Sequence, residues 1–317
     1  MRKNENSMNI EGKIYQFDLS EKESGPNSKN PGTKYLSGTI DVATGIELDN
    51  IIQVHYSYVV PTYGSGKPNN SYAALKKIIE SGKTVVTDGY EEAWTVKLNP
   101  SYQTNDFYPA GQEQVVSQPR NESGFVTIVT ADKARPEGDP AKNKFSFDIV
   151  VNNVVEQVPD EGDSFVEVKG VVFNYNNTAI YPVTLVARNK DAMQYFLNLD
   201  VNKDNPVYTK IWGKIVNVVT KVENTVESAF GPAQVETAVR RKREYLITGA
   251  NPVPYMFDTA DTITREEMQK ALQDREIYLA QQKKNAEEYR ASKQSGGNGA
   301  SPAAQAANAV KTGGFNW

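Results

Sequence analysis

The residues Val207, Tyr208, Thr209, Lys210, Ile211, Trp212, Gly213, Lys214 and Ile215 alternate in a pattern that suits one kind of chemistry. With the two-residue period of a strand, Val207, Ile211 and Ile215 share one face, with Thr209 and Gly213 between them. Tyr208, Lys210, Trp212 and Lys214 share the other. Rings alternating with ammonium groups offer unpaired bases a surface to stack on and phosphates a row of cations. The competing account is an ordinary amphipathic strand whose lysines snorkel beneath a covering loop.

A second run extends the pattern. From residue 165 to 175 the core parity belongs to Val166, Val168, Gly170 and Val172, which leaves Lys169, Phe173 and Tyr175 on the opposite face and Arg188 at the rim of the next strand. A base–ring stack contributes roughly 1–3 kcal/mol whatever the base, so such a face favours binding without sequence preference. Alternatively, some of these rings seal a junction between two domains. In the first half of the chain the strand over 34–42 points Leu36, Ile40 and Val42 inward and Tyr35, Thr39 and Asp41 outward. Tyr63 and Lys67 sit in a glycine-rich loop and Lys97 on a later strand, with Tyr102, Phe107 and Tyr108 as further ring contacts. Trp94 shares parity with Val96 and Leu98 and reads as core.

Composition removes most catalytic classes. The chain has 317 residues and no cysteine, so disulfides, thiolate metal sites and thiol nucleophiles are excluded. Its one histidine, His55, lies in a strand over 51–56 and reads as a solvent-facing residue; no metal site and no cofactor is expected. A nuclease built on carboxylates stays open, although no spacing selects a pair. The net charge of −4 argues against a general polyanion binder but allows a local basic groove. No apolar run approaches the roughly 20 residues of a membrane span and the N-terminus lacks a signal-peptide core, so the expectation is a cytoplasmic protein without membrane contact.

Three motifs are set aside. Gly64-Ser65-Gly66-Lys67 lacks the spacing of a phosphate loop and is followed by Pro68. The run from Asp200 to Asn205 begins like a calcium loop, but Asn205 replaces the glycine and Ile211 the final glutamate. Arg240, Arg241, Lys242 and Arg243 form a basic cluster that either grips phosphate or is a solvated strand end.

The elements that must position these residues read as mainly β. In the first unit strands are expected over 13–19, 34–44 and 50–60, then a helix over 71–81, then strands over 84–87, 93–98, 124–130 and 144–158, with 99–121 an extended loop. The second unit repeats the order: strands over 165–176 and 178–188 joined by a tight turn at Asn176-Asn177, a helix over 191–199, and strands over 207–219 and 243–248. Gly38 and Gly170 fall at matching places. Strands with a helix between the third and fourth describe the five-stranded OB barrel, so the expectation is two tandem OB-like barrels, over 8–158 and 159–258. The alternative is a pair of β-sandwiches of the kind found in virion structural proteins. Thr264-Arg265-Glu266-Glu267 has the form of a capping box opening a helix within 259–293. Its thin apolar stripe (Met268, Ala271, Leu272, Arg275, Tyr278, Leu279 and beyond) either packs on the domains or binds a partner. A flexible tail over 294–317 ends in Phe315 and Trp317, placed to meet a partner's pocket.

The stretch from Val168-Lys169-Gly170 through Asn205-Pro206 to Ile215, taken with 227–231 and 244–250, resembles bacteriophage single-stranded DNA-binding proteins with OB-folds. The resemblance implies a non-enzymatic protein that coats single-stranded DNA in phage replication, recombination or repair, in the host cytoplasm. It also implies replication or recombination proteins as partners, met through the C-terminal helix or tail. The tip is aromatic, as in that family, but the acidic residues that normally precede it are missing and Lys311 is present.

Overall fold

The architecture begins with one strand that is too long for a single barrel. In a computed structural model, which describes residues 4–109, 114–160, 162–202, 204–226, 234–259 and 262–294, strand β1 spans Asn6–Glu23. Side chains are described over the same residues except 218–226, 234–242, 293 and 294. The tail with Phe315 and Trp317, and the segment 227–231, lie outside the described residues.

Beyond β1 come β2 (Lys34–Ala43), β3 (Ile51–Val59), helices α1 (Asn70–Ser81) and α2 (Val85–Asp88), β4 (Thr95–Phe107) and β5 (Val116–Val129). These pair in the order β2-β3-β5-β4-β1, and β1 also pairs with β2, which closes a ring of five. β3 and β5 run parallel; the other pairs are antiparallel. The second set is β6 (Asn143–Gln157), β7 (Phe165–Phe173), β8 (Ile180–Ala187), α3 (Lys190–Leu197), β9 (Val207–Val226) and β10 (Gln234–Ala250). It repeats the arrangement as β6-β7-β8-β10-β9 with β9 returning to β6, and again the third and fifth strands are the parallel pair. In both rings the helix falls between the third and fourth strands. Among the described residues each set of five strands closes on itself through a short parallel pairing, so the sandwich alternative is set aside in favour of OB barrels.

The two rings share a seam. The start of β1 pairs with β6 from Asn6↔Phe147 to Ile10↔Asn143, before β1 turns to β4 and then β2. Since β6 is the first strand of the second ring, the boundary falls between β5 and β6, whereas the expected division at 158 grouped β6 with the first ring.

Tight curvature at the first strand of each ring requires glycine on the second. A Cβ at Gly38 would lie 1.8 Å from the carbonyl oxygen of Asp18, and its φ of +137° is one that other residues resist. Gly170 makes the corresponding approach to Val150, where a Cβ would be 2.3 Å from the carbonyl oxygen. The matching places read from the sequence are therefore structurally equivalent.

Two local expectations are corrected. Residues 85–88 form a helical turn rather than a strand, because the Thr84 hydroxyl accepts from Thr87 N–H while Asp88 accepts from Thr84 N–H. Residues 99–107 and 116–121, expected as loop, are strand and pair as much of the β4–β5 hairpin. Pro100 and Pro119 disguise it in the sequence, but beyond a bulge at Asn99/Ser101 it crosses onto the second ring, where Tyr102 donates to the carbonyl of Pro182.

The cores are continuous. Tyr102, Phe145, Phe147 and Tyr245, drawn from both rings, pack with centroids 4.9–6.1 Å apart in stacked, tilted and edge-on pairs. Helix α4 (Arg265–Gln294) opens with the expected capping box: Glu267 N–H donates to the Thr264 hydroxyl and Thr264 N–H to the Glu267 carboxylate. Its stripe packs on the domains. Ala271 is buried, and Arg275 makes a bidentate ion pair with buried Asp106 and donates to the carbonyl of Ile180. Leu272 departs from the stripe and is exposed.

Candidate nucleic-acid interface

In the second barrel the parity holds and the exposure does not. Val166, Val168 and Val172 point inward, and Phe173 and Tyr208 lie on the opposite face, yet Phe173 is 0% and Tyr208 1% exposed. The chain leaving β10 turns back along β9, with Asn251 N–H donating to the Lys210 carbonyl and Tyr255 N–H to that of Tyr208. The rings of Tyr255 and Phe257 stand 4.9 and 5.5 Å from that of Tyr208. With Ile263, Met268 and Ala271 they seal Val150, Val171, Phe173, Ile180 and Tyr208 into a second apolar cluster. The covering-loop account thus prevails at these two rings, because covering large apolar side chains gains more than leaving them wet. Neither ring is open to a base.

Three of the expected cations also have partners. Lys210 pairs with Glu5, just before β1. Burial pushes the Glu5 carboxyl up, but hydrogen bonds from Lys210, Ser7 and Ser146 outweigh it and hold the group below its ordinary range. Arg188 forms a bidentate pair with Glu244 and lies 4.7 Å over the Phe165 ring, and Lys169 pairs with Glu167 at 3.0 Å. Trp212 is half-buried against Gly249, where a Cβ would come within 2.5 Å of the indole. Tyr175 is 54% exposed at the far end of β7. Arg188 and exposed Lys214 line a cleft of about 620 Å³ between the start of α3 and the end of β10, together with Leu246, Thr248 and Pro252. The expected single face is therefore divided: Trp212, Lys214, Arg188 and Tyr175 keep solvent contact, while Phe173 and Tyr208 lose it.

The first barrel presents more open ring surface than its sequence promised. Tyr35 on β2 and Tyr58 on β3 stack at 4.5 Å, tilted by 41°, on the outer side of the barrel. Tyr58 was missed because counting by twos from Ile52, Val54 and Tyr56 places it inside; an irregular register opposite Gly38 reverses the parity, and Val59 takes the inner place. Tyr63 and Lys67 are exposed in the loop after β3, folded by hydrogen bonds from Tyr63 N–H to Lys67 O and from Gly66 N–H to Tyr63 O. Lys97 does not join them. It lies on β4 opposite Thr127, on the side of the barrel that carries Phe125, another exposed ring with no sequence signal beyond its place in a strand.

Where the barrels meet, the β9–β10 hairpin leans on β3. Asn217 donates from its side chain to the carbonyl of Ile51 and from its backbone to the side chain of Asn50. Tyr245 donates to Asn121 of β5 at 2.9 Å. Beside this contact His55 is half-buried rather than freely solvent-facing. Burial and the charges of Arg120 and Arg243 lower its pKa to about 4. Among the described residues no three His, Cys, Asp or Glu side chains gather as metal ligands, and no helix is long and apolar enough to cross a membrane.

Two closed rings, each with strand order 1-2-3-5-4-1 and a helix before the fourth strand, define a tandem OB-barrel protein. Residues 4–285 match the sequence profile of the YorF family, and the chain belongs to that family. No curated protein matches the sequence. Two crystal structures align with it at 8% identity. The wild-type single-stranded DNA binding protein from Thermus aquaticus has a TM-score of 0.47 and covers 81% of this chain and 97% of its own; a deletion mutant of that protein has 0.46, 82% and 100%.

Proposed function

We propose that the protein binds single-stranded DNA without enzymatic action, through base stacking and phosphate neutralisation on the outer surfaces of its two barrels. The observation that carries this reading is the pair of fused OB rings, each with a hairpin joining its fourth and fifth strands. In OB-folds the second and third strands, with the loops between strands one and two and between four and five, receive oligonucleotides. On the first barrel those strands are β2 and β3, which carry the Tyr35–Tyr58 pair, with Tyr63 and Lys67 in the following loop. On the second, Trp212, Lys214, Arg188 and Tyr175 supply the reachable rings and cations. The basic run Arg240-Arg241-Lys242-Arg243 belongs to β10, in the hairpin that leans on the first barrel. Phage replication, recombination or repair in the host cytoplasm is the proposed setting, and proteins of those processes the proposed partners.

The test is fluorescence anisotropy of a labelled oligothymidine, beside a duplex of equal length, at low and moderate salt. Salt-dependent binding of the single strand alone is expected. Replacing Tyr35 and Tyr58 together by Ala should weaken it at least about tenfold, given roughly 1–3 kcal/mol per stacked base. Absence of binding by the folded wild-type protein overturns the reading and favours a structural role.

A further inference from the structure

In the second barrel the apolar part of the β7–β8 face lies beneath Tyr255, Phe257, Ile263, Met268 and Ala271. The side formed by β9, β10 and α3 is open instead, and it holds the cleft of about 620 Å³, a size within the roughly 300–1,000 Å³ of small-ligand sites. Its lining is largely apolar and held in place. The Tyr195 hydroxyl donates to the carbonyl of Asn251 at 2.8 Å, and its ring stands edge-on to buried Phe196 at 5.0 Å. Leu246, directly opposite Lys214 in the β9–β10 register, lines the cleft with Ile247 and with half-buried Ala192 of α3. A bulge between Ile247 and Gly249 leaves Thr248 exposed on the rim.

Cations outnumber anions around the opening. Lys214 is exposed and forms no ion pair with another described residue. Arg188 is held by Glu244 through Nε and Nη2, which leaves its Nη1 without a bond to another described residue. Exposed Asp191 is the one carboxylate of the lining. The first N–H groups of α3 are already taken, because the Asn189 side chain accepts from Asp191 and Ala192, so an anion here falls to Lys214 and Arg188.

Trp212 joins the cleft to the outer surface of β9. It shares a face with Lys214 two residues along the strand, and its indole packs on Gly249, which also lines the cleft. A ring, a cation one strand repeat away and an apolar slot beside them match a base to stack, a phosphate and a second base to bury. An apolar carboxylate would use the slot and the cation but not the indole.

We propose that the cleft between α3 and β10 takes one base of the bound strand out of the stack, with the adjoining phosphate at Lys214 and the neighbouring base on Trp212. The inference rests on the single-strand reading for the source of its ligand, since a free nucleotide offers the same chemistry.

Trp212 becomes the single reporter in a full chain whose Trp94 and Trp317 are replaced by Phe. The experiment titrates that parent protein with 5′-thymidine monophosphate, with inorganic phosphate and with oligothymidine. The mononucleotide should change Trp212 emission saturably, and inorganic phosphate at equal concentration should not. Ala192→Leu narrows the slot while keeping Trp212 and Lys214. It should abolish the mononucleotide response and weaken oligothymidine binding about tenfold, the scale of one buried base, with the salt dependence unchanged. Lys214→Gln should instead lower the log–log salt slope by about 0.7, the value for one phosphate contact on a single strand. Should the folded Ala192→Leu protein bind oligothymidine as tightly as the parent, the slot is empty in the complex and the proposal is overturned, while the single-strand reading stands. Should oligothymidine fail to bind the parent while the mononucleotide response appears and is lost in Ala192→Leu, the cleft stands as a nucleotide site and the single-strand reading falls. A mononucleotide response that is absent from the parent, or that inorganic phosphate reproduces, overturns the cleft. Thr248→Tyr, at an exposed position on the rim, repeats the test if Ala192→Leu does not fold.

Discussion

At the scale of single residues, closure of each barrel depends on a glycine of the second strand that admits the backbone of the first. Ala at Gly38 or at Gly170 should lower stability by about 1–3 kcal/mol, the cost of forcing a side chain into packed structure. Urea denaturation checks this, and an unchanged midpoint for both would mean that the close approaches to Asp18 and Val150 are easily relieved. His55 makes a second prediction. Its folded-state pKa of about 4 lies below the unfolded value near 6.5, so the unfolded chain binds the extra proton between those limits. The stability it contributes is present above pH 6.5 and is lost as the pH falls toward 4. His55→Gln should remove that part of the pH dependence in denaturation midpoints measured from pH 7 to 4; an identical profile in the variant would show that the imidazole is not held neutral. The direction of such a shift was invisible in the sequence. His55 occupies an outward strand position there, and the arginine that lowers its pKa across the seam is 188 residues away, from 55 to 243.

At the scale of elements, α4 is a strap rather than a free arm. Its capping box and much of its stripe were legible because both depend on neighbours three or four residues apart. What the stripe would cover was not, since its partners come from β4, β5 and β8. Arg275 fastens the strap to Asp106, with side chains only 12% and 2% exposed. Arg275→Met should cost about 3–5 kcal/mol by leaving a buried carboxylate unpaired, and Asp106→Asn in the same chain should recover part of the loss. Thermal unfolding of the single and double variants measures both. A change below about 1 kcal/mol would mark the pair as solvent-screened instead. The β4–β5 hairpin is the complementary case: its prolines and polar residues read as loop, and only the barrel beneath Tyr102 and Asp106 makes it a strand pair.

At the scale of the whole molecule, the rings behave as one packing unit. The strand β1 belongs to both through its pairings, and the Tyr102, Phe145, Phe147 and Tyr245 cluster joins their interiors. Unfolding should therefore be a single transition. Single-tryptophan proteins retaining only Trp94 in the first barrel or only Trp212 in the second should give coincident denaturant curves. Phe147→Ala should shift both curves together, by about 3–5 kcal/mol. Separate transitions would show two independently stable barrels.

The amino-acid sequence by itself determined the strand periods, the helix between the third and fourth strands of each unit, the repeat of element order and the equivalence of Gly38 with Gly170. These follow from local stereochemistry and from alternation over a few residues. Tertiary structure decided which outward faces stay outward. Phe173 and Tyr208 have the parity of contact residues, but Tyr255, Phe257, Ile263, Met268 and Ala271 return to cover them, and Tyr58 has the parity of a core residue but emerges through an irregular register. Asn217, paired with Arg243 across the β9–β10 hairpin, reaches Ile51 of β3 only because two barrels fuse along β1 and β6. A period of two separates the faces of a strand, whereas exposure is set by whatever distant segment gains most from packing on them.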